Sequence, residues 1–503
     1  MRSFFTRRLV SRRAAAVLAL ACAMTAAPVQ AQLPTLGDPS EMNSSAERKL
    51  GEQIARELYR DPDYIDDPVL DEYVQEIWKR LLDAARSRGE LTPELDSRFA
   101  WQVLLGKDRI VNAFALPGGW LGLQLGLVNV TGTRDELASV LAHELSHVTQ
   151  RHISRLMSQQ SRQAPWMIGA MILGALAASK SPDAANAMVA GGQALAMQNQ
   201  LNFSRDMERE ADRIGFGVMT QGGFEPQGFV TMFDKLQQAA RLNDNGAFPY
   251  LRTHPMTTER IADMQARQQL ASRPAASAPD LVHTMMVARS RVLSNPGVDG
   301  LRSYITEAEG AQAAGAPRVR QIGALYAAAL ASSRLRDPAA AARYAGKLAG
   351  LAAGDARAAR QAALLAAEVA LQGGNAAPAA ALDAGADGRP EVILSSQARV
   401  NTGRAAEAAQ RLQTWVALHP RDAQAWQLLA AAYTAQGQTL RAIRAEAEAQ
   451  VAHLDYQAAM DRFKAAQELA RKASSAGDYI EASIIDTRAR QVELLLREQS
   501  LER

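Results

Sequence analysis

Cysteine is almost absent: Cys22 is the single one among 503 residues. It lies in an N-terminal segment expected to be removed, so the mature chain is left with none. That excludes disulfides, thiol nucleophiles and cysteine-ligated zinc together. Any metal must then be held by His, Asp and Glu, and the chain has only seven histidines. A surplus of one charge is missing too. The formal +3 rests on five arginines and no acid within residues 1–31; beyond them 51 basic residues face 53 acidic ones, a net of −2. Such a chain has no general electrostatic attraction to nucleic acid, and that partner class is set aside. Beyond the N-terminus no run reaches 18 uncharged apolar residues, so no later spanning helix is expected.

What is present is ordinary globular chemistry, 48% hydrophobic and 22% charged, in a chain long enough for two to four domains. Arg2, Arg7, Arg8, Arg12 and Arg13 precede an apolar run from Ala14 to about Ala27, and Val29-Gln30-Ala31 supplies small residues at −3 and −1. This reads as a cleaved export signal with cleavage after Ala31, in preference to a membrane anchor, for which the run is short. Arg7-Arg8 fits a twin-arginine signal poorly, and Cys22 is only a weak lipoprotein acceptor because Ala19 stands at −3. The expected location is the periplasm.

Residues 40–270 mix helical patterns with two strand candidates, Phe99–Leu105 and Gly122–Val130. An Ala/Pro/Ser stretch within 271–285 reads as a linker. Residues 286–503 are alanine-rich and helical. There Trp426, Leu429, Ala430 and Tyr433 are followed by Gly437 and Ala442, the tetratricopeptide spacing, and a step of 34 residues back lands on Val392, Gly403 and Ala408, with Pro420 closing that unit. Val319, Ile322, Gly323 and Tyr326 repeat the first-helix pattern, and Gly477 with Ala482 repeats the Gly-to-Ala step. The expected result is about four helix pairs stacked into a concave, partner-gripping surface.

The chemistry is carried by His143-Glu144-Leu145-Ser146-His147. Thr133 and Glu136 form a capping-box pattern, and Leu137, Val140, Leu141, Leu145 and Val148 make one apolar stripe, so the motif is expected on a helix. His143 and His147 then sit one turn apart on one face, suited to two corners of a tetrahedral zinc site. Glu144 is turned aside, where a carboxylate can take the proton of an attacking water and pass it to the leaving amine. Gln150 and Ile153 stand where a histidine-rich continuation would carry its glycine and third histidine. The third ligand must come from elsewhere, and Glu208 in Glu208-Arg209-Glu210-Ala211-Asp212 is the strongest candidate. On a helix Glu208 and Asp212 share a face, the first toward zinc and the second toward a ligand histidine, while Glu210 is expected to face solvent. His152, His283, His419 and His453 show no ligand pattern and read as surface or packing residues.

These motifs, with Asn112-Ala113-Phe114-Ala115-Leu116-Pro117-Gly118-Gly119, Thr253-His254-Pro255 and Glu259-Arg260, resemble the gluzincin peptidases related to HtpX and the CAAX prenyl proteases over about residues 40–265. Joined to an export signal and a repeat array, the chain resembles the beta-barrel assembly-enhancing protease group. The resemblance implies a mainly α protein: a gluzincin-type α+β zinc metallopeptidase domain, then an α-helical tetratricopeptide-repeat array. It implies His143, His147 and Glu208 as zinc ligands and Glu144 as general base, with one Zn2+ per chain. Asn112, Ala113 and Phe114 would form an edge strand that pairs with extended substrate, and Gly118 and Gly119 a tight turn beside the cleft. His254 would be either an oxyanion stabiliser or a fourth zinc ligand that keeps the enzyme latent; Arg260 would stabilise charge in the cleft or anchor the loop. Unfolded or misassembled outer-membrane proteins are the implied substrates, with the assembly machinery engaged through the repeats. The competing class is a periplasmic chaperone or assembly factor whose peptidase is largely latent. Residues 163–197, with a 17-residue uncharged run from Gln163 to Ser179, read as a hydrophobic hairpin that touches clients or a membrane surface, or else as an ordinary buried hairpin.

Overall fold

In the computed structural model the described residues are 42–159, 204–241, 248–270, 279–294, 296–383, 388–471 and 476–500. The export-signal reading at 1–31 and the hairpin reading at 163–197 lie outside them. The chain starts with α1 (Ser44–Arg60), α2 (Pro68–Ser87) and a short α3 (Pro93–Arg98). Asn43, Asp67 and Thr92 cap these helices by accepting from the backbone N–H three residues on, and Pro68 and Pro93 occupy the first turn, where no N–H is needed.

Three strands follow: β1 (Gln102–Gly106), β2 (Ala113–Leu116) and β3 (Trp120–Gln124), in the order β1-β3-β2. β3 is parallel to β1 and antiparallel to β2, which leaves β2 at an edge of the sheet. Gly118 and Gly119 make the reversal between β2 and β3, both at positive φ (71° and 84°), a conformation that costs glycine nothing. The strand expected over Gly122–Val130 stops at Gln124. Residues Leu125–Val130 form α4 instead, because the partner strands end there and the Gly126 N–H donates to the Asp108 carbonyl, turning the chain off the sheet.

Next come α5 (Arg134–Thr149), α6 (His152–Gln159), α7 (Arg205–Gln221), α8 (Gln227–Arg241), the one-turn α9 (Tyr250–Thr253) and α10 (Thr258–Leu270). α5 carries the HELSH motif and is buried along its whole length. Its capping box is present in altered form: the Thr133 hydroxyl accepts from Glu136 N–H at 3.1 Å, while the Glu136 carboxylate reaches the N–H of Gly132 rather than that of Thr133. Gly215 lets α7 approach α5 closely, since a Cβ there would stand 3.1 Å from the backbone of Ala142 and His143.

Of the remaining helices, α11 (Leu281–Leu293) and α12 (Gly297–Ala313) both pack on α13 (Arg318–Arg334), which also pairs with α14 (Pro338–Ala352), and α15 (Ala356–Gln372) pairs with the short α16 (Ala377–Ala380). After them stand α17 (Arg389–Asn401) with α18 (Ala405–Leu418), α19 (Ala423–Ala435) with α20 (Thr439–Ala452), and α21 (Tyr456–Ala470) with α22 (Ala476–Ser500). Gly403 and Gly437, 34 residues apart, both take positive φ in the turn inside a pair. Val392, Ala408, Leu429, Ala430, Tyr433 and Ala442 share one apolar cluster. Gly477 does not repeat the pattern: it falls in the first turn of α22. The fold is thus mainly helical with a small mixed sheet, an α+β region followed by packed helices.

The linker expected over 271–285 ends sooner. Asp280 caps α11, and Val282, His283, Met285 and Met286 are buried in the core that runs from Val69 in α2 to Val369 in α15. Several arginines fasten the packed helices to an acidic stretch at the start of α2. Arg289, 2% exposed, donates to Asp67 at 2.6 and 2.8 Å and to Glu368 at 2.7 and 3.1 Å. Arg360 bridges Glu72 and Glu391, and Arg389 bridges Asp66, Asp71 and Asp422.

This seam has a defined pH response. Burial raises Asp71 to about 6, with Arg389 only 3.5 Å away acting in the other direction. Against an unfolded value of about 3.9, the folded state holds that proton more tightly. The stabilisation is full below about pH 4 and is lost as pH rises through about 6. Asp422 runs the other way: burial opposes its charge, but Arg389 holds it below the usual carboxylate range, so its contribution is lost only on acidification. Asp71→Asn is therefore expected to raise the urea midpoint at pH 7 and leave it near the wild-type value at pH 4; equal midpoints at pH 7 would contradict this.

Candidate metal centre

α5 projects His143 and His147 into the protein interior, both no more than 1% exposed. α7, capped by Ser204, brings Glu208 and Asp212 onto the face that meets α5, and both are 1% exposed. α9 delivers His254, also buried; its position is set by the Tyr250 N–H donating to the Val111 carbonyl just before β2, and by the Tyr250 ring stacked on the imidazole at 4.6 Å. Four ligand atoms converge: one nitrogen each from His143, His147 and His254 and an oxygen of Glu208, all within 4.8 Å of one another.

The donor set fits a tetrahedral metal. Bonds of ~2.0–2.1 Å put ligand atoms ~3.3 Å apart. Here His143 Nε2 stands 3.0 Å from His147 Nε2 and 3.3 Å from His254 Nδ1. Glu208 Oε1 is 3.4 Å from His147 Nε2 and 3.0 Å from His254 Nδ1, and Glu208 Oε2 is 3.6 Å from His143 Nε2. Two imidazole nitrogens facing a third at such distances cannot all be satisfied by N–H donors, whereas a cation at their centre takes every lone pair.

Asp212 lies 3.0 Å from His143 Nδ1, as its position one turn after Glu208 requires. Arg260, 3% exposed, grips Asp212 in a two-pronged pair at 2.6 and 2.7 Å, reaches Glu208 at 2.8 Å and donates to the Pro255 carbonyl at 2.9 Å. The guanidinium therefore sits behind the ligands and ties the His254 loop to α7. Burial opposes the charge of Glu208, but the charge of His254 and hydrogen bonds from His143, His147 and His254 hold it well below the usual carboxylate range. Burial opposes the charge of His143 as well, but Asp212 and Glu208 raise it to about 9, whereas burial drives His147 well below its ordinary value.

Glu144 is fully buried, and burial raises its carboxyl above the ordinary value, the direction that suits a group that takes up and returns a proton. Its Oε2 accepts from the Ala115 N–H at 2.9 Å, and its Oε1 is 3.5 Å from His254 Nε2. The register Phe114↔Gly122 and Leu116↔Trp120, with the Gln124 N–H on the Asn112 carbonyl, turns the backbone groups of Ala113 and Ala115 away from β3. The free edge of β2 thus runs past the carboxylate. Ala113 and Phe114 lie in that strand and Asn112 just before it; the Phe114 ring packs on Gly122.

Two residues in the site depart from the sequence reading. His152 is 0% exposed, with Nδ1 2.9 Å from His147 Nδ1 and Nε2 3.0 Å from Glu210 Oε2. Glu210 does not simply face solvent: it is partly buried between His152 and Arg155. Among the other histidines, His283 is buried against the Tyr73 hydroxyl at 2.7 Å, His453 stacks on Tyr59 and His419 stacks on Trp415.

A helix-borne histidine pair, a glutamate from a second helix and an adjacent buried carboxylate define a metallopeptidase-type centre on an α+β frame. Residues 68–268 match Peptidase family M48, and a helical C-terminal region follows them. It is 33% identical over 275 residues to the putative beta-barrel assembly-enhancing protease of Vibrio cholerae, 53% of each chain. To the beta-barrel assembly-enhancing protease of Escherichia coli it is 34% identical over 282 residues, 55% of each chain. A mitochondrial metalloendopeptidase of Arabidopsis thaliana is 30% identical over 201 residues, 40% of this chain and 36% of that one. The chain spans about half the length of the curated assembly-enhancing relatives it matches. Among the described residues no helix is long and apolar enough to cross a membrane.

Proposed function

We propose that the protein is a periplasmic zinc metalloendopeptidase that assists outer-membrane protein assembly and degrades clients that misassemble. The observation that carries the reading is the buried convergence of His143, His147, Glu208 and His254 beside Glu144. Zinc held there would polarise the scissile carbonyl and make a water acidic enough to attack at neutral pH. The chain's own residues do the rest. Glu144, raised by burial, takes the proton of the attacking water and returns it to the leaving amine. The edge of β2 at Ala113 aligns an extended client by strand addition, and Ala115 holds Glu144 beside it. Asp212 and Arg260 fix the orientation of His143 and Glu208. The helix pairs, read as tetratricopeptide units, gather clients or assembly partners, and residues 163–197 add an apolar contact to clients or a membrane surface. Cleavage after Ala31 delivers the chain to the periplasm.

His254 favours a latent state over an oxyanion role, because its Nδ1 takes a ligand position and its Nε2 faces the general base. A silent site suits the second reading, a chaperone whose peptidase is mostly closed. His254→Ala is expected to raise the rate of casein cleavage above wild type while zinc content stays at one ion per chain. An inactive, zinc-loaded variant would assign His254 to the transition state instead.

A further inference from the structure

The two histidines of the HELSH motif are backed differently. His143 has a carboxylate behind it, Asp212, itself held by Arg260. Behind His147 stands another histidine, and the chain of contacts is longer: His147 Nδ1 to His152 Nδ1 at 2.9 Å, His152 Nε2 to Glu210 Oε2 at 3.0 Å, and Glu210 Oε2 to Arg155 Nη1 at 2.9 Å.

Donor and acceptor roles along this chain are fixed once its ends are fixed. Arg155 can only donate and Glu210, as a carboxylate, only accepts, so the proton between Glu210 and His152 sits on His152 Nε2. That leaves a lone pair on His152 Nδ1, which must receive a proton from His147 Nδ1. His147 is then left with its lone pair on Nε2, the atom that faces His143 and Glu208. The backbone is shaped for this contact. α5 ends at Thr149 and Arg151 takes φ 53°, a left-handed conformation uncommon for a residue with a side chain. That single turn starts α6 at His152 and folds its ring back under His147. Arg151 is held in it by Glu47 at 3.1 Å and by the Ser154 hydroxyl at 3.1 Å.

We propose that His152 is a positioning residue for metal binding: with Glu210 and Arg155 it forms a relay that holds His147 in the tautomer and orientation that present Nε2 to the metal. This rests on the metal reading above. The relay gives Glu210 a task distinct from that of Glu208, two residues earlier, and makes α6 as well as α7 part of the metal support.

The test is the Zn2+ affinity of the full chain, measured by competition with a chromophoric chelator, for wild type, His152→Ala, His152→Asn and Glu210→Gln. Support of this kind is typically worth 10–100-fold in affinity, and His152→Ala is expected to lose that much. His152→Asn keeps an acceptor near the Nδ1 position and is expected to recover part of the loss. Glu210→Gln is expected to weaken binding without lowering the melting temperature of the metal-free chain. The visible spectrum of the cobalt(II)-loaded protein is expected to shift in His152→Ala, a change that a packing role alone would not produce. Wild-type affinity and an unshifted spectrum in His152→Ala would overturn the relay while leaving the metal site intact. If that variant does not fold, Glu210→Gln decides: unaltered affinity there overturns the proposal. Failure of the wild-type chain to bind zinc would bring down the metal reading and the relay together.

Discussion

Glu144→Gln is expected to reduce peptide hydrolysis by about 10²–10⁴-fold while zinc binding and client binding persist. The amide keeps the shape of the carboxylate and can still accept from the Ala115 N–H, so the edge of β2 stays in place. It cannot take up a proton at the pH where the carboxylate can. Its nearest ring partner, His254 Nε2 at 3.5 Å, is not a metal-facing atom, so the ligand set is untouched. Because Glu144 is fully buried, removal of its charge also relieves a desolvation cost, and the variant is expected to melt no lower than wild type. Kinetics on a quenched peptide, alongside zinc analysis and client pull-down, separate the outcomes. Loss of zinc together with activity would make Glu144 a ligand rather than a base. Loss of client binding would undercut the separation of the two activities.

The second large effect is on stability. Arg289→Ala is expected to cost about 3–5 kcal/mol, the range for a buried ion pair stripped of one partner. The guanidinium fills a closed site between α2, α13 and α15, with Asp67 and Glu368 on either side and the Tyr326 hydroxyl at 3.2 Å. Truncation leaves two carboxylates facing each other out of water, and Asp67, which Arg289 holds below the usual carboxylate range against the effect of burial, loses its counter-charge. Urea denaturation checks this, with Arg404→Ala as control: Arg404 pairs with Glu407 on the surface, where such a pair contributes little. A midpoint for Arg289→Ala close to that control would mean the helix pairs are held by apolar packing alone. Unfolding in two separate steps in the wild-type chain would contradict the continuous core that joins α2 to α15.

Much of the site was legible because it is written in helical spacing. His143 and His147, and then Glu208 and Asp212, are one turn apart, and a turn is the distance over which sequence maps onto a face without further knowledge. The apolar stripe of α5 and the 34-residue step between Gly403 and Gly437 are legible for the same reason. His152 is five residues beyond His147, a spacing that places it off the ligand face of any continuous helix. Only the left-handed Arg151 brings it back, and neither composition nor periodicity signals that conformation at an arginine. Glu210 was misplaced for the same cause, since its partner His152 was not in view. The strand expected through Val130 failed at Gln124 because a run such as Leu-Gly-Leu-Val-Asn-Val is apolar in either conformation, and the end of the neighbouring strands decides. Residues 281–285 were joined to an Ala/Pro/Ser stretch that itself ends at Pro279, yet they hold Val282 and Met285 in the core shared with α2, a tertiary contact that local pattern does not encode.

Zinc content and proteolysis of the purified full chain test the central reading most directly, compared between wild type and a Glu208→Ala, His254→Ala double variant. The account expects one zinc per wild-type chain, slow cleavage of an unfolded outer-membrane protein, and loss of both from the double variant. It would be contradicted by a wild-type chain that binds no divalent metal, or by cleavage that proceeds undiminished when zinc has been stripped.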